Sequence, residues 1–131
     1  MLPNIPSNLY YLPIYQKAID IITLSRSIST YLNQDLSALL QDGSEDNHIY
    51  FSGDIVQQSV SLAPEIVKAE QERHSDKKYK HLASIKRLTY LLNKNIKRLE
   101  QCNSNGKDYL PLLNSELKKF KKLQRSWMLT L

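Results

Sequence analysis

Between residues 14 and 40 the apolar side chains Ile14, Ala18, Ile21, Ile22, Ile28, Leu32, Leu36, Leu39 and Leu40 recur mostly at intervals of three and four. That spacing places them on one stripe of an α-helix. The polar run 41–47 stops the pattern, with Gly43 suited to a C-terminal cap and Asp46 or Asn47 to the next N-cap. A second helix is predicted over 48–73, with Val56, Val60, Ala63 and Val67 as its stripe and Ile55, Leu62 and Ile66 flanking it. Pro64 lies inside this helix, removes a backbone donor and predicts a kink. In an exposed helix interior a proline costs roughly 3 kcal/mol.

The third helix is predicted over 77–102, opened by Ser75 or Asp76 and carrying Leu82, Ile85, Leu88, Leu92, Ile96 and Leu99 on one side. A turn at 103–107 separates it from a fourth helix over 109–129, with Leu110, Leu113, Leu117, Phe120, Leu123 and Trp127 as its buried face. Asp108 is placed to cap it, because Pro111 then falls in the first turn, where no amide partner is needed. Ahead of all four, residues 1–13 hold Pro3, Pro6 and Pro13 beside Tyr10 and Tyr11, which predicts an extended arm packed on the bundle or on a neighbour. No strand-like alternation or internal repeat competes. The expected fold is one all-α domain over 1–131, an up-down-up-down four-helix bundle.

At 131 residues the chain is long enough to bury a core without staples. Charge interrupts its apolar stretches too often for a membrane span, and residues 1–6 lack the basic and apolar regions of a secretory signal. The single cysteine, Cys102, excludes an internal disulfide and a multi-thiolate zinc site, and points to the reducing cytoplasm of a bacterial or viral host.

Convergent catalytic groups are scarce. Glu70 and His74 share a helical face, but a di-iron bundle needs two Glu-x-x-His motifs, and only Glu45 to His48 has that spacing, in a polar loop. A helical ribonuclease that uses Arg followed four to six residues later by His also fails, since the nearest pair is Arg73 and His81. His48, His74 and His81 read as solvated surface histidines. Lys97 and Arg98 lie near Cys102 and would lower its pKa, although an inert thiol is the simpler reading. Neither a phosphate-binding glycine loop nor a nucleophile elbow occurs. The expectation is a protein with no catalytic residues, cofactor or metal.

The charge distribution is the positive signal. Residues 1–76 carry four basic and ten acidic side chains, a balance of −6, whereas residues 77–131 carry fourteen and three, a balance of +11, giving the +5 of the whole chain. At about 100° per residue, Lys80, Arg87, Lys94 and Arg98 form a narrow stripe opposite the apolar face of the third helix, with Lys86 and Lys97 on one flank. On the fourth helix Lys118, Lys121, Lys122 and Arg125 lie opposite Leu113, Leu117 and Phe120. Sequential helices pack as antiparallel neighbours, so the two stripes are expected to merge. Such a surface attracts phosphate backbones, RNA or DNA, without reading sequence, and Tyr79 and Tyr90 would add base stacking. Ordinary solubilising surface mixes both signs, and this surface does not. A protein-interaction scaffold that docks an acidic partner through the same face is the alternative.

Three segments carry a resemblance. Leu12-Pro-Ile-Tyr-Gln-Lys-Ala18, the proline-containing Ser61-Leu-Ala-Pro-Glu-Ile-Val67 and the closing Leu123-Gln-Arg-Ser-Trp127 resemble the four-helix-bundle proteins encoded in 23S rRNA intervening sequences. The accessory variability proteins of diversity-generating retroelements share that architecture. Glu65-Ile-Val-Lys-Ala69 departs from the commoner Asn-Ile-Ala-Glu-Gly ending, which leaves the two branches open. The resemblance implies a ring-like homopentamer with a basic exterior. In the retroelement branch it implies that this ring binds both RNA and a reverse transcriptase. Tyr31, Leu24, Leu62 and Leu91 fall outside the main stripes and are expected at subunit contacts.

Overall fold

The computed structural model describes residues 7–131, which contain four α-helices and no strand. Helix α1 is Pro13–Leu36, α2 His48–Gln71, α3 Ser75–Leu99 and α4 Leu110–Met128. Cross-links fix their directions. Ser25 meets Ser59 and Ser29 meets Ser52 between α1 and α2, so the partner number falls as the other rises. The same holds for Glu65–His81 and Gln58–Asn95 between α2 and α3. It holds again between α1 and the fourth-helix side, where Lys17 meets Glu116 and Tyr31 meets Tyr109. Neighbours along the chain are antiparallel and α4 returns to α1, giving an up-down-up-down bundle. Its α2–α3 seam is the closest and its α3–α4 seam the loosest.

The core is one cluster, running from Ile14, Ala18, Ile21 and Ile28 on α1 through Ile85, Leu92, Ile96 and Leu99 on α3 to Leu113, Leu117 and Phe120 on α4. Leu82, Leu88 and Leu123 pack at its margin. On α2 the buried face is displaced by one position from the predicted stripe. It consists of Ser52, Ile55, Ser59, Leu62, Ala63, Ile66 and Ala69, while Val56 and Val67 are half-buried and Val60 is exposed. The cause lies in the serines. Ser25 and Ser59 are fully buried with oxygens 2.8 Å apart, and Ser29 and Ser52 repeat the pairing at 2.8 Å. Each hydroxyl is satisfied inside the seam, so a small polar side chain occupies a position that hydrophobic periodicity assigns to valine. Leu62, expected at a subunit contact, belongs to this core. Helix α2 runs unbroken through Pro64, which is exposed.

Several boundaries differ from expectation. Helix α1 ends at Leu36, not Leu40, with the Ser37 amide bonded to the Asn33 carbonyl; Leu39 and Leu40 are exposed, with nothing to bury them. Gly43 caps no helix. Its φ of 83° closes a turn in which its amide reaches the Leu40 carbonyl at 2.9 Å. Asn47, one of the two expected residues, is the N-cap of α2, while the Asp46 carboxylate accepts the His48 amide at 3.0 Å. His74, not Ser75 or Asp76, is the N-cap of α3. Asp108 caps nothing, because Asn105–Tyr109 is a 3-10 turn with Ser104 as its cap, accepting the Gly106 amide. Ser7–Tyr11 is likewise a 3-10 turn, which replaces the latter part of the predicted extended arm; Leu9 is buried, and the Leu12 amide bonds to the Leu9 carbonyl. Pro3 and Pro6 lie outside the described residues.

Candidate nucleic-acid interface

Helix α3 presents three sectors. On one flank His81 and Asn95 bond to Glu65 and Gln58 of α2, at 2.7 and 3.2 Å. On the other, Lys86, Thr89, Tyr90 and Asn93 line a groove against α4. Between them Lys80, Arg87 and Lys94 are exposed on the outer face. Arg98 leans toward α2, its guanidinium 4.9 Å from the Phe51 ring centre and 3.3 Å from the side-chain Oδ1 of Asn95. The predicted stripe therefore does not reach α4. The flanking Lys86 does.

Helix α4 divides its cations in the same way. Lys121 and Arg125 line the groove opposite Lys86, while Lys118 and Lys122 are exposed. Lys97 is exposed on α3 and outside the groove. The groove is about 590 Å³, includes Gln124, Met128 and Leu129, and has no carboxylate in its lining. It follows the loosest seam, where the side chains of two antiparallel helices stand apart.

Among the described residues no carboxylate lies within 4.0 Å of Lys80, Lys86, Arg87, Lys94, Lys97, Arg98, Lys118, Lys121, Lys122 or Arg125. Three glutamates of the bundle are engaged elsewhere. Glu116 holds Lys17 at 2.6 Å and Lys119 at 3.3 Å, and these hydrogen bonds keep its carboxyl below the ordinary range. Glu65 is shared by His81 and Lys68. Glu70, one half of the suspected metal pair, accepts the Trp127 indole N–H at 2.5 Å.

His48 and His81 are half-buried and paired with Asp46 and Glu65, at 2.8 and 2.7 Å, which corrects their reading as solvated side chains; His74 is exposed. Among the described residues no group of three or more His, Cys, Asp or Glu side chains converges as a metal site would need. Cys102 is buried, and that burial pushes its thiol pKa up despite the charge of Lys107, contrary to the lowering expected from Lys97 and Arg98. None of the described helices is long and apolar enough to cross a membrane.

Sequence reasoning missed Gln124 and Asn93 as parts of this surface. The signal for Gln124 was a lone amide within the apolar series Leu117, Phe120 and Trp127, a polar group on a face that is otherwise buried. Comparison with family models, with curated proteins and with solved structures finds no match for the chain.

Proposed function

We propose that the chain is a non-enzymatic nucleic-acid-binding accessory protein that holds phosphate backbones on the outer faces of α3 and α4. The observation that carries the reading is the set of ten cations on α3 and α4 that have no carboxylate partner among the described residues. A surface of one sign gains by releasing counterions from a polyanion, and loses most of that gain as salt rises. Each cation neutralises a phosphate and none reads a base, so binding by this face is indifferent to sequence.

RNA is the expected polymer, and a reverse transcriptase the expected protein partner, on the strength of the resemblance in residues 12–18, 61–67 and 123–127. The same resemblance supports a homo-oligomer, a pentameric ring, of either the retroelement or the rRNA-insert type. Exposed Tyr31, Tyr109 and Leu112 beside the α1–α4 seam supply apolar surface for such a contact.

A salt titration against single-stranded RNA, duplex RNA and duplex DNA, with mass measured by light scattering, tests the proposal. Binding that weakens steeply with salt, on an assembly of several chains, is the expected result. Absence of binding at low salt would end the nucleic-acid reading and leave the basic face to an acidic protein partner.

A further inference from the structure

The α3–α4 groove differs from the cationic faces on either side of it. Its walls are mainly apolar, its rim carries Lys86, Lys121 and Arg125, and Tyr90 stands at its edge with 63% of its surface exposed. Gln124 is only 5% exposed, yet its side-chain amide takes no partner among the described residues. Among the described residues no fully enclosed polar side-chain atom lacks a hydrogen bond, and Gln124 lines the groove, so its amide opens into that space. Asn93 lines the same space from α3. A surface that only neutralised phosphates would need neither an apolar recess nor an open amide beneath its cations.

We propose that this groove seats one unstacked base of a single-stranded nucleic acid. This rests on the nucleic-acid reading above and adds the kind of strand that is bound. The flat face of the base lies against the Tyr90 ring, its polar edge meets the Gln124 and Asn93 amides, and the flanking phosphates meet Lys86, Lys121 and Arg125. The chemistry fits each part: an aromatic ring stacks on any base, an amide both donates and accepts, and the absence of a carboxylate leaves the phosphates unopposed. A duplex keeps its bases stacked and paired, so it would touch the outer faces but leave the groove empty.

Fluorescence anisotropy with three probes tests this: a short uridine oligomer, a ribose-phosphate oligomer of equal length lacking bases, and duplex RNA. The protein should bind the uridine oligomer about tenfold more tightly than the abasic one, the value of roughly one stacked base. Tyr90→Ala and Gln124→Leu should each shrink that gap severalfold while leaving abasic binding unchanged, and Lys94→Gln should weaken both alike. Because Tyr90 is exposed, its variant keeps the fold and decides the matter even if Gln124→Leu does not fold. Equal binding of the base-bearing and abasic strands, or a gap that survives Tyr90→Ala, overturns the groove proposal while leaving the phosphate-binding reading intact. No binding of any probe at low salt overturns both.

Discussion

The indole N–H of Trp127 donates to the Glu70 carboxylate at 2.5 Å, tying the last turn of α4 to the last turn of α2 across the end of the bundle. Trp127 is 6% exposed and Glu70 half-buried, so the bond is partly shielded from water. Trp127→Phe should therefore lose about 2 kcal/mol in urea unfolding, through a charge-assisted hydrogen bond and part of a ring. Glu70→Gln retains an acceptor and should lose less. A Glu70→Gln loss as large as that of Trp127→Phe would contradict this, because glutamine keeps both the shape and the acceptor.

Two glycines should respond to alanine with opposite signs. A Cβ at Gly106 would stand 2.6 Å from Tyr31 Cδ1 and 3.0 Å from Leu32 Cδ2, so Gly106→Ala should destabilise by about 1–3 kcal/mol. Gly53 lies inside α2 with nothing within 4 Å of the added atom, and Gly53→Ala should stabilise by roughly 0.5–1 kcal/mol. Thermal melting of the two variants reads both signs.

The paired serines predict an asymmetric mutant cycle. Ser59 donates to the Ile55 carbonyl at 2.6 Å as well as meeting Ser25, whereas Ser25 has Ser59 as its side-chain partner. Ser59→Ala orphans a fully buried hydroxyl and should cost about 1–3 kcal/mol; Ser25→Ala should cost less. The double variant should cost less than the sum of the two, since it leaves no hydroxyl behind.

Lys17 and Glu116 define a pH window. The hydrogen bond between them is the main reason that the Glu116 pKa is lowered from 4.5 and the Lys17 pKa raised from 10.5. A lowered carboxyl stabilises the fold above its unfolded pKa, and that contribution disappears as pH falls through the folded value. A raised amine stabilises below its unfolded pKa, and that contribution disappears as pH rises through the folded value. Relative to Glu116→Gln, the protein should thus show a constant advantage at neutral pH that closes at both extremes. An advantage that persists in strong acid would contradict the pairing.

Helix number and the faces of α1, α3 and α4 were legible because leucine, isoleucine and phenylalanine mark them at helical spacing. The face of α2 was not, because Ser52 and Ser59 look like solvent residues until Ser29 and Ser25 are known to lie opposite. Leu39 and Leu40 extended the α1 pattern past its end, since periodicity counts apolar residues without knowing whether a neighbour remains to cover them. The cations of the candidate site were legible as faces, but not by seam. Whether Lys86 or Lys94 looks toward α4 depends on where the neighbouring helices sit, which one helical wheel does not contain.

The gap between α3 and α4 also gives the protein an unusual response to ions. Lys86, Lys121 and Arg125 share one groove without a counter-charge, so closing the bundle confines like charges that the unfolded chain would spread apart. Screening relieves that confinement. The fold should melt at higher temperature as sodium chloride is added, whereas bundles laced with surface ion pairs lose stability. A polyanion should do the same at far lower concentration by occupying the groove. The isolated fold would then be weakest under the low-salt conditions in which its affinity is greatest.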